Sequence, residues 1–347
     1  MTDNDSSLPV LVTGGSGFIA GHCIVQLLAQ GRRVRTTIRS LAREGETRAV
    51  LADAGVKRLD VLEVVAADLT ADSGWDDATR GVGGILHVAS PVMPGHVGNE
   101  DDVIVPARDG ALRVLRAARR SRVRRVVLTS AFHAAGFGHG PIDHFFTEVD
   151  WSPLDGPGMD AYGRSKVLAE RAAWDFAREA DAPELVTILP VAVLGPVMGD
   201  AVSGTNQLLR RILNGDMTGF PDLAIPFVDV RDVAAAHIAA LDRPAAAGQR
   251  VLLASQESAT PLRDVGAFLR TTFGDRARKV PTRNIPSIAV RADAKFRPEF
   301  REIVPELGYV KRLSIQRERD LLGITPRPWT EAVEAGARSM LDRHLAG

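Results

Sequence analysis

Apolar positions in the first half of the chain alternate between two periods. Short, largely β-branched runs at Val10-Leu11-Val12, Arg33 to Arg39, Leu62 to Ala67, Gly84 to Ala89, Val126 to Ser130 and Leu185 to Leu189 read as strands. Helical spacing follows the first run, at Ile19, Cys23, Ile24, Leu27 and Leu28, with Gly31 as the expected stop. Residues 102–120 read as a long helix with a basic face, started by the acidic Glu100-Asp101-Asp102. Asp160 is placed to cap another helix opening at Ala161. Strand and helix alternating at ~30-residue spacing predict an α/β fold with a doubly wound parallel sheet.

Beyond Gly195-Pro196 the alternation stops, apart from a short return at Ile225 to Val233 that reads as a strand and a helix start. Residues 256–347 are richer in Pro and Arg and more irregular. The expected organisation is a nucleotide-binding domain at 1–195 and 222–255, and a smaller, mostly C-terminal substrate-binding lobe at 196–221 and 256–347. Residues 136–160 read as a loop over the site.

The first run ends in Thr13-Gly14-Gly15-Ser16-Gly17-Phe18-Ile19-Ala20, a strand, a tight turn and a helix start in register. Gly14 and Gly17 would let the backbone take left-handed turns and approach a ligand with no Cβ in the way. The helix N-terminus offers N–H groups and a positive dipole end to a diphosphate. That constellation predicts dinucleotide binding. At the end of the second run, where an NAD-binding chain places a carboxylate for the ribose 2′-hydroxyl, stands Arg39, with Arg43 four residues on. A guanidinium there takes a 2′-phosphate that a carboxylate would repel, which favours NADP.

Lys+Arg 43 against Asp+Glu 43 leaves no net charge to recruit nucleic acid or a membrane surface. The arginines from Arg113 to Arg125 read as a solvated helix face. One cysteine, Cys23, rules out an internal disulfide and suits a reducing compartment. Residues 1–9 lack the pattern of a signal peptide, and no apolar run approaches the ~20 residues that cross a bilayer. The expectation is a cytoplasmic protein. His87, His133, His139 and His144 lack metal-ligand spacing, so no metal is expected.

Tyr162 and Lys166 lie four apart on the helix that Asp160 opens, hence on one face. An ammonium beside a buried phenol would stabilise its anion and suit it to proton transfer. With the glycine turn, Asp68-Leu69, His87-Val88-Ala89-Ser90-Pro91, Thr129-Ser130 and Phe227 to Val233, the chain resembles the extended short-chain dehydrogenases/reductases over nearly its whole length. Val88-Ala89-Ser90-Pro91 and Arg39 resemble the dihydroflavonol reductase, cinnamoyl-CoA reductase and yeast-type aldehyde reductase branch.

The resemblance implies a Rossmann fold and NADP-dependent, reversible reduction of an aldehyde or ketone. It implies that Gly14, Gly17, Phe18 and Ile19 hold the diphosphate, Arg39 the 2′-phosphate, and Asp68 with Leu69 the adenine. Val88, Ala89 and Ser90 would line the ribose, and Pro190 with Val193 would fix the nicotinamide. Tyr162 would give a proton to the carbonyl oxygen, and Lys166 would hold the ribose and lower the phenol's pKa. Look-alikes commonly dimerise through two long helices, which leaves a homodimer open beside a monomer.

Relatives read Thr-Ser-Ser where this chain has Thr129-Ser130-Ala131, which puts an alanine at the position of their catalytic serine. Ser130 is the expected replacement through a local backbone shift, with Thr129, His133 and a weakened site as alternatives. Two rivals remain at this stage: an NAD-retaining sugar-nucleotide epimerase or dehydratase, and an NADP-sensing protein without turnover.

Overall fold

A computed structural model describes residues 8–91, 97–301 and 303–347, the side chains of 298 and 299 excepted. The expectation drawn from residues 1–9 lies, for residues 1–7, outside that range. Seven parallel strands form the central sheet: β1 (Val10–Val12), β2 (Val34–Ile38), β3 (Leu62–Ala66), β4 (Gly84–His87), β5 (Arg125–Thr129), β6 (Glu184–Pro190) and β7 (Arg250–Leu253). Their order is β7-β6-β5-β4-β1-β2-β3. The chain winds outward from β1 to β3, returns to β4 beside β1, and winds away on the other side. Loops leaving β1 and β4 therefore part and leave a crevice at their C-terminal ends. The register sets Val12 opposite Leu86, so the glycine turn faces the Val88–Ser90 segment.

Eight of the helices matter to the site or its support: α1 (Phe18–Ala29), α2 (Glu44–Asp53), α3 (Trp75–Thr79), α4 (Asp101–Arg120), α5 (Ala161–Ala177), α6 (Asn206–Asn214), α7 (Val230–Asp242) and α8 (Leu262–Phe273). α4 buries Val103, Ala107, Ala111, Val114 and Ala118 at helical spacing. Its Ala111, Val114 and Ala118 meet Ala173 and Phe176 of α5 in one apolar cluster. The arginines beyond that stripe are solvated, and Arg113 pairs with Asp72, Arg119 with Glu179 and Arg120 with Asp76. Arg125 departs from the expectation: it is 2% exposed, pairs with Glu184 and donates to the carbonyls of Ala240, Leu241 and Arg243. It belongs to β5 and the end of α7, not to the helix face.

β7 has no counterpart among the expected strands. Its apolar run, Val251 to Ala254, is short and has no glycine turn after it as β1 has, and pairing with β6 makes it a strand. A second core lies outside the sheet, where Leu209, Ile212, Phe227, Leu262, Leu269 and Met340 pack together. It joins α6, α8 and the C-terminal helix Trp329–Asp342 to the short parallel pair Ala192–Leu194 and Phe227–Asp229. Phe227 falls in this second core although its segment was expected to serve the first. No helix among the described residues is long and apolar enough to cross a membrane.

Candidate active site

The turn after β1 is built as a cradle. Gly14 takes φ +75°, and a Cβ there would stand 3.0 Å from the Ala89 Cβ. Both the backbone and the neighbouring loop therefore demand glycine. Gly17 does not take the expected left-handed conformation; it is extended, at φ −90° and ψ 159°. A Cβ at Gly17 would lie 3.1 Å from the Gly14 carbonyl, so close approach alone selects glycine. Thr37 fixes the turn, its hydroxyl accepting from the Gly14 N–H and its carbonyl from the Gly15 N–H. α1 starts at Phe18 with no side-chain cap and no acidic residue in its first turn. Its leading N–H groups are thus left to an external acceptor.

Thr13, fully buried, holds the opposite wall. Its hydroxyl oxygen accepts from the Val88 and Ala89 N–H groups and pairs with His87 Nδ1 at 2.9 Å. At the end of β2, Arg39 is exposed and makes no hydrogen bond or ion pair among the described residues. Arg43 is taken by Glu46. Asp68 accepts from the N–H and the hydroxyl of Thr70, which hold its carboxyl below the usual range, with desolvation opposing and Arg39 adding a little. Leu69 lies against Gly110 of α4.

Asp160 caps α5 by accepting from the Gly163 N–H at 2.7 Å. The helix then brings Tyr162 and Lys166 to the same crevice, with the Lys166 Nζ 5.5 Å from the phenol ring centre. Lys166 is buried and donates to Ser90 Oγ at 3.1 Å, which ties the helix to the loop after β4. Ala89, Ser90, Ser130, Lys166 and Glu170 line one cavity there. The expected lowering of the phenol's pKa is not found in the protein alone. Burial pushes Tyr162 up to about 12, and Asp160 adds to the rise. Burial also brings Lys166 down to about 8, against the opposing pull of Glu170. Removing the phenol from water outweighs the nearby ammonium, which is bonded to Ser90.

Ser130 does not have the free hydroxyl its expected role requires. It donates to Glu170 at 2.6 Å. That fully buried carboxylate also accepts from Thr187, Trp174 and Arg250, at 2.8, 3.3 and 2.8 Å. Donating to a substrate oxygen would cost Ser130 its place in a satisfied network. Arg250, which packs 3.8 Å over Trp151, is a supporting residue that the sequence reading missed. Ala131 is 5% exposed and offers only a methyl group. Pro190 closes β6, buried, and half-buried Val193 pairs with Val228, both at the same end of the sheet.

Comparison with known proteins matches residues 10–254 to the model of the NAD dependent epimerase/dehydratase family. A ketoreductase of Aspergillus niger, azaE, is 31% identical over 96% of this chain and 98% of its own. Tetraketide alpha-pyrone reductase 2 of Arabidopsis thaliana is 33% identical over 71% of this chain and 77% of its own. Among solved structures, yeast methylglyoxal/isovaleraldehyde reductase Gre2 complexed with NADPH superposes with a TM-score of 0.80 at 25% identity. That match covers 97% of this chain and 99% of that one.

Proposed function

The chain belongs to the NAD dependent epimerase/dehydratase family, the extended short-chain dehydrogenases/reductases, and from that premise we propose that it reduces an aldehyde or ketone to the alcohol with NADPH. The observation that carries this reading is Tyr162 and Lys166 on one face of α5, with Lys166 hydrogen-bonded to Ser90 in the wall of the nucleotide crevice.

The residues present fit NADPH. The uncapped start of α1, with Gly14, Gly17, Phe18 and Ile19, suits the diphosphate. Arg39, unpaired among the described residues, suits the 2′-phosphate. Asp68 and Leu69 would flank the adenine, Val88, Ala89 and Ser90 the ribose, and Pro190 and Val193 the nicotinamide. When bound, the nicotinamide supplies a hydride to the carbonyl carbon. Tyr162 donates its proton to the carbonyl oxygen, for which a phenol that holds its proton through neutral pH is suited. Lys166 exchanges Ser90 for the ribose hydroxyls and so positions the sugar beside Tyr162. Residues 196–221 and 256–347 cover the substrate.

Family membership alone would also accommodate a sugar-nucleotide epimerase, but Arg39 stands where such an enzyme would need an acid for the ribose of NAD. The test is loss of nicotinamide absorbance with NADPH and NADH in parallel, over aldehydes, α-keto esters and aryl ketones. Turnover with NADPH preferred is expected. Binding of NADPH without turnover would overturn the reading, and protein purified with NAD bound would favour the epimerase.

A further inference from the structure

A carbonyl oxygen receiving a proton from Tyr162 gains from a second donor, because negative charge develops on it as hydride arrives. Position 131 offers none. Thr129 does not either. His237 Nδ1 lies 2.7 Å from the Val233 carbonyl and must donate to it, so Nε2 is an acceptor and the Thr129 hydroxyl, 2.7 Å away, gives it its proton. Burial brings His237 down to about 4, consistent with that neutral tautomer. Ser130 gives its proton to Glu170.

His133 is different. It sits on the turn Phe132–Ala134 that follows β5, half-buried, and makes no hydrogen bond among the described residues. Its ring stacks on Phe137, centroids 3.9 Å apart and planes within 9°, which fixes its orientation. Its edge contact with the Tyr162 ring, at 5.0 Å and 80°, puts the imidazole on the phenol.

Resting on the function proposed above, we infer that His133 supplies the hydrogen bond to the substrate carbonyl oxygen that the serine of its relatives would give. The imidazole acts as a neutral N–H donor and no proton leaves it. The charged groups facing it are Asp160, Lys311 and Lys166, and burial together with the two ammonium groups brings it down to about 4 against the pull of Asp160. Lys311 also lies 4.2 Å from the Phe137 ring centre.

His133→Phe keeps a ring against Phe137 and removes only the N–H. With NADPH affinity and melting temperature preserved, its kcat should fall on the order of 100-fold, and adding Ala131→Ser should restore about tenfold of it or more. His133→Gln, which keeps a donor, should lose less than His133→Phe. Unchanged turnover in His133→Phe would overturn the inference. So would a loss that is not relieved by adding Ala131→Ser and is no smaller in His133→Gln, since that describes a packing role. Tyr162→Phe run alongside separates the two claims. If it is inactive while His133→Phe is unimpaired, only the inference about His133 fails; if it is as active as the parent, the proposed reaction fails first.

Discussion

Tyr162, pushed up to about 12, keeps its proton through the neutral range and is ready to give it away, while taking one back requires a phenolate that burial disfavours. The two directions of the reaction should therefore answer pH differently. In the proposed reaction, reduction needs the protonated phenol, so Tyr162 imposes no fall on it up to about pH 10 and any decline begins only near pH 8 with Lys166, whereas alcohol oxidation should climb toward about tenfold per unit below that point. Initial rates in both directions check this. A reduction rate that falls with a midpoint at or below about pH 7 would contradict it. At this scale the Gly14 turn, the Asp160 cap and the shared face of Tyr162 and Lys166 were legible, because each is required by a turn or a helical spacing that lies within a few residues. The partner of Ser130 was not legible, for the opposite reason. Its hydroxyl is decided by Glu170, 40 residues away on another element.

The element that brings Tyr162 and Lys166 together is α5, and its first turn does two things at once. Asp160 satisfies the Gly163 N–H and adds negative charge near the Tyr162 phenol. Asp160→Ala should cost about 1 kcal/mol, seen as a drop of about 2 °C or less in melting temperature. It should also shift the oxidative pH profile to lower pH, since the phenolate no longer faces a carboxylate. An unchanged melting temperature and profile would contradict both roles. Most strands and the long helix α4 were readable from their periods. β7 was not, being a short run with no glycine turn after it and a partner strand distant in sequence. With it went Arg250, whose ion pair to Glu170 spans 80 residues. Such pairings are made by topology, and no local pattern announces them.

Across the whole molecule, the C-terminal segment is fastened to the sheet domain by buried carboxylates. Glu318 is fully buried and accepts from the Ala254 N–H at 3.2 Å, while its other oxygen has no partner among the described residues. Burial pushes it up to about 9, with Asp232 and Glu148 adding and Arg319 opposing. The folded pKa lies above the unfolded value of 4.5, so the contribution to stability is complete below that value and is lost as pH rises toward 9. The loss is at most about 1.4 kcal/mol per pH unit. Glu318→Gln stays neutral at every pH, so its melting temperature should gain on the parent's as pH rises from about 5 to 8. Parallel curves would contradict this.

In the proposed reaction, the crevice at the C-terminal ends of β1 and β4 holds NADPH so that Tyr162 can protonate a carbonyl. The most direct measurement is a single turnover of the NADPH-loaded protein, mixed rapidly with its best carbonyl substrate, for the parent and Tyr162→Phe at matched NADPH occupancy. The account predicts a rapid loss of nicotinamide absorbance in the parent and, in the variant, a rate lower by a factor on the order of 100 or more. Equal rates in the two proteins would contradict it.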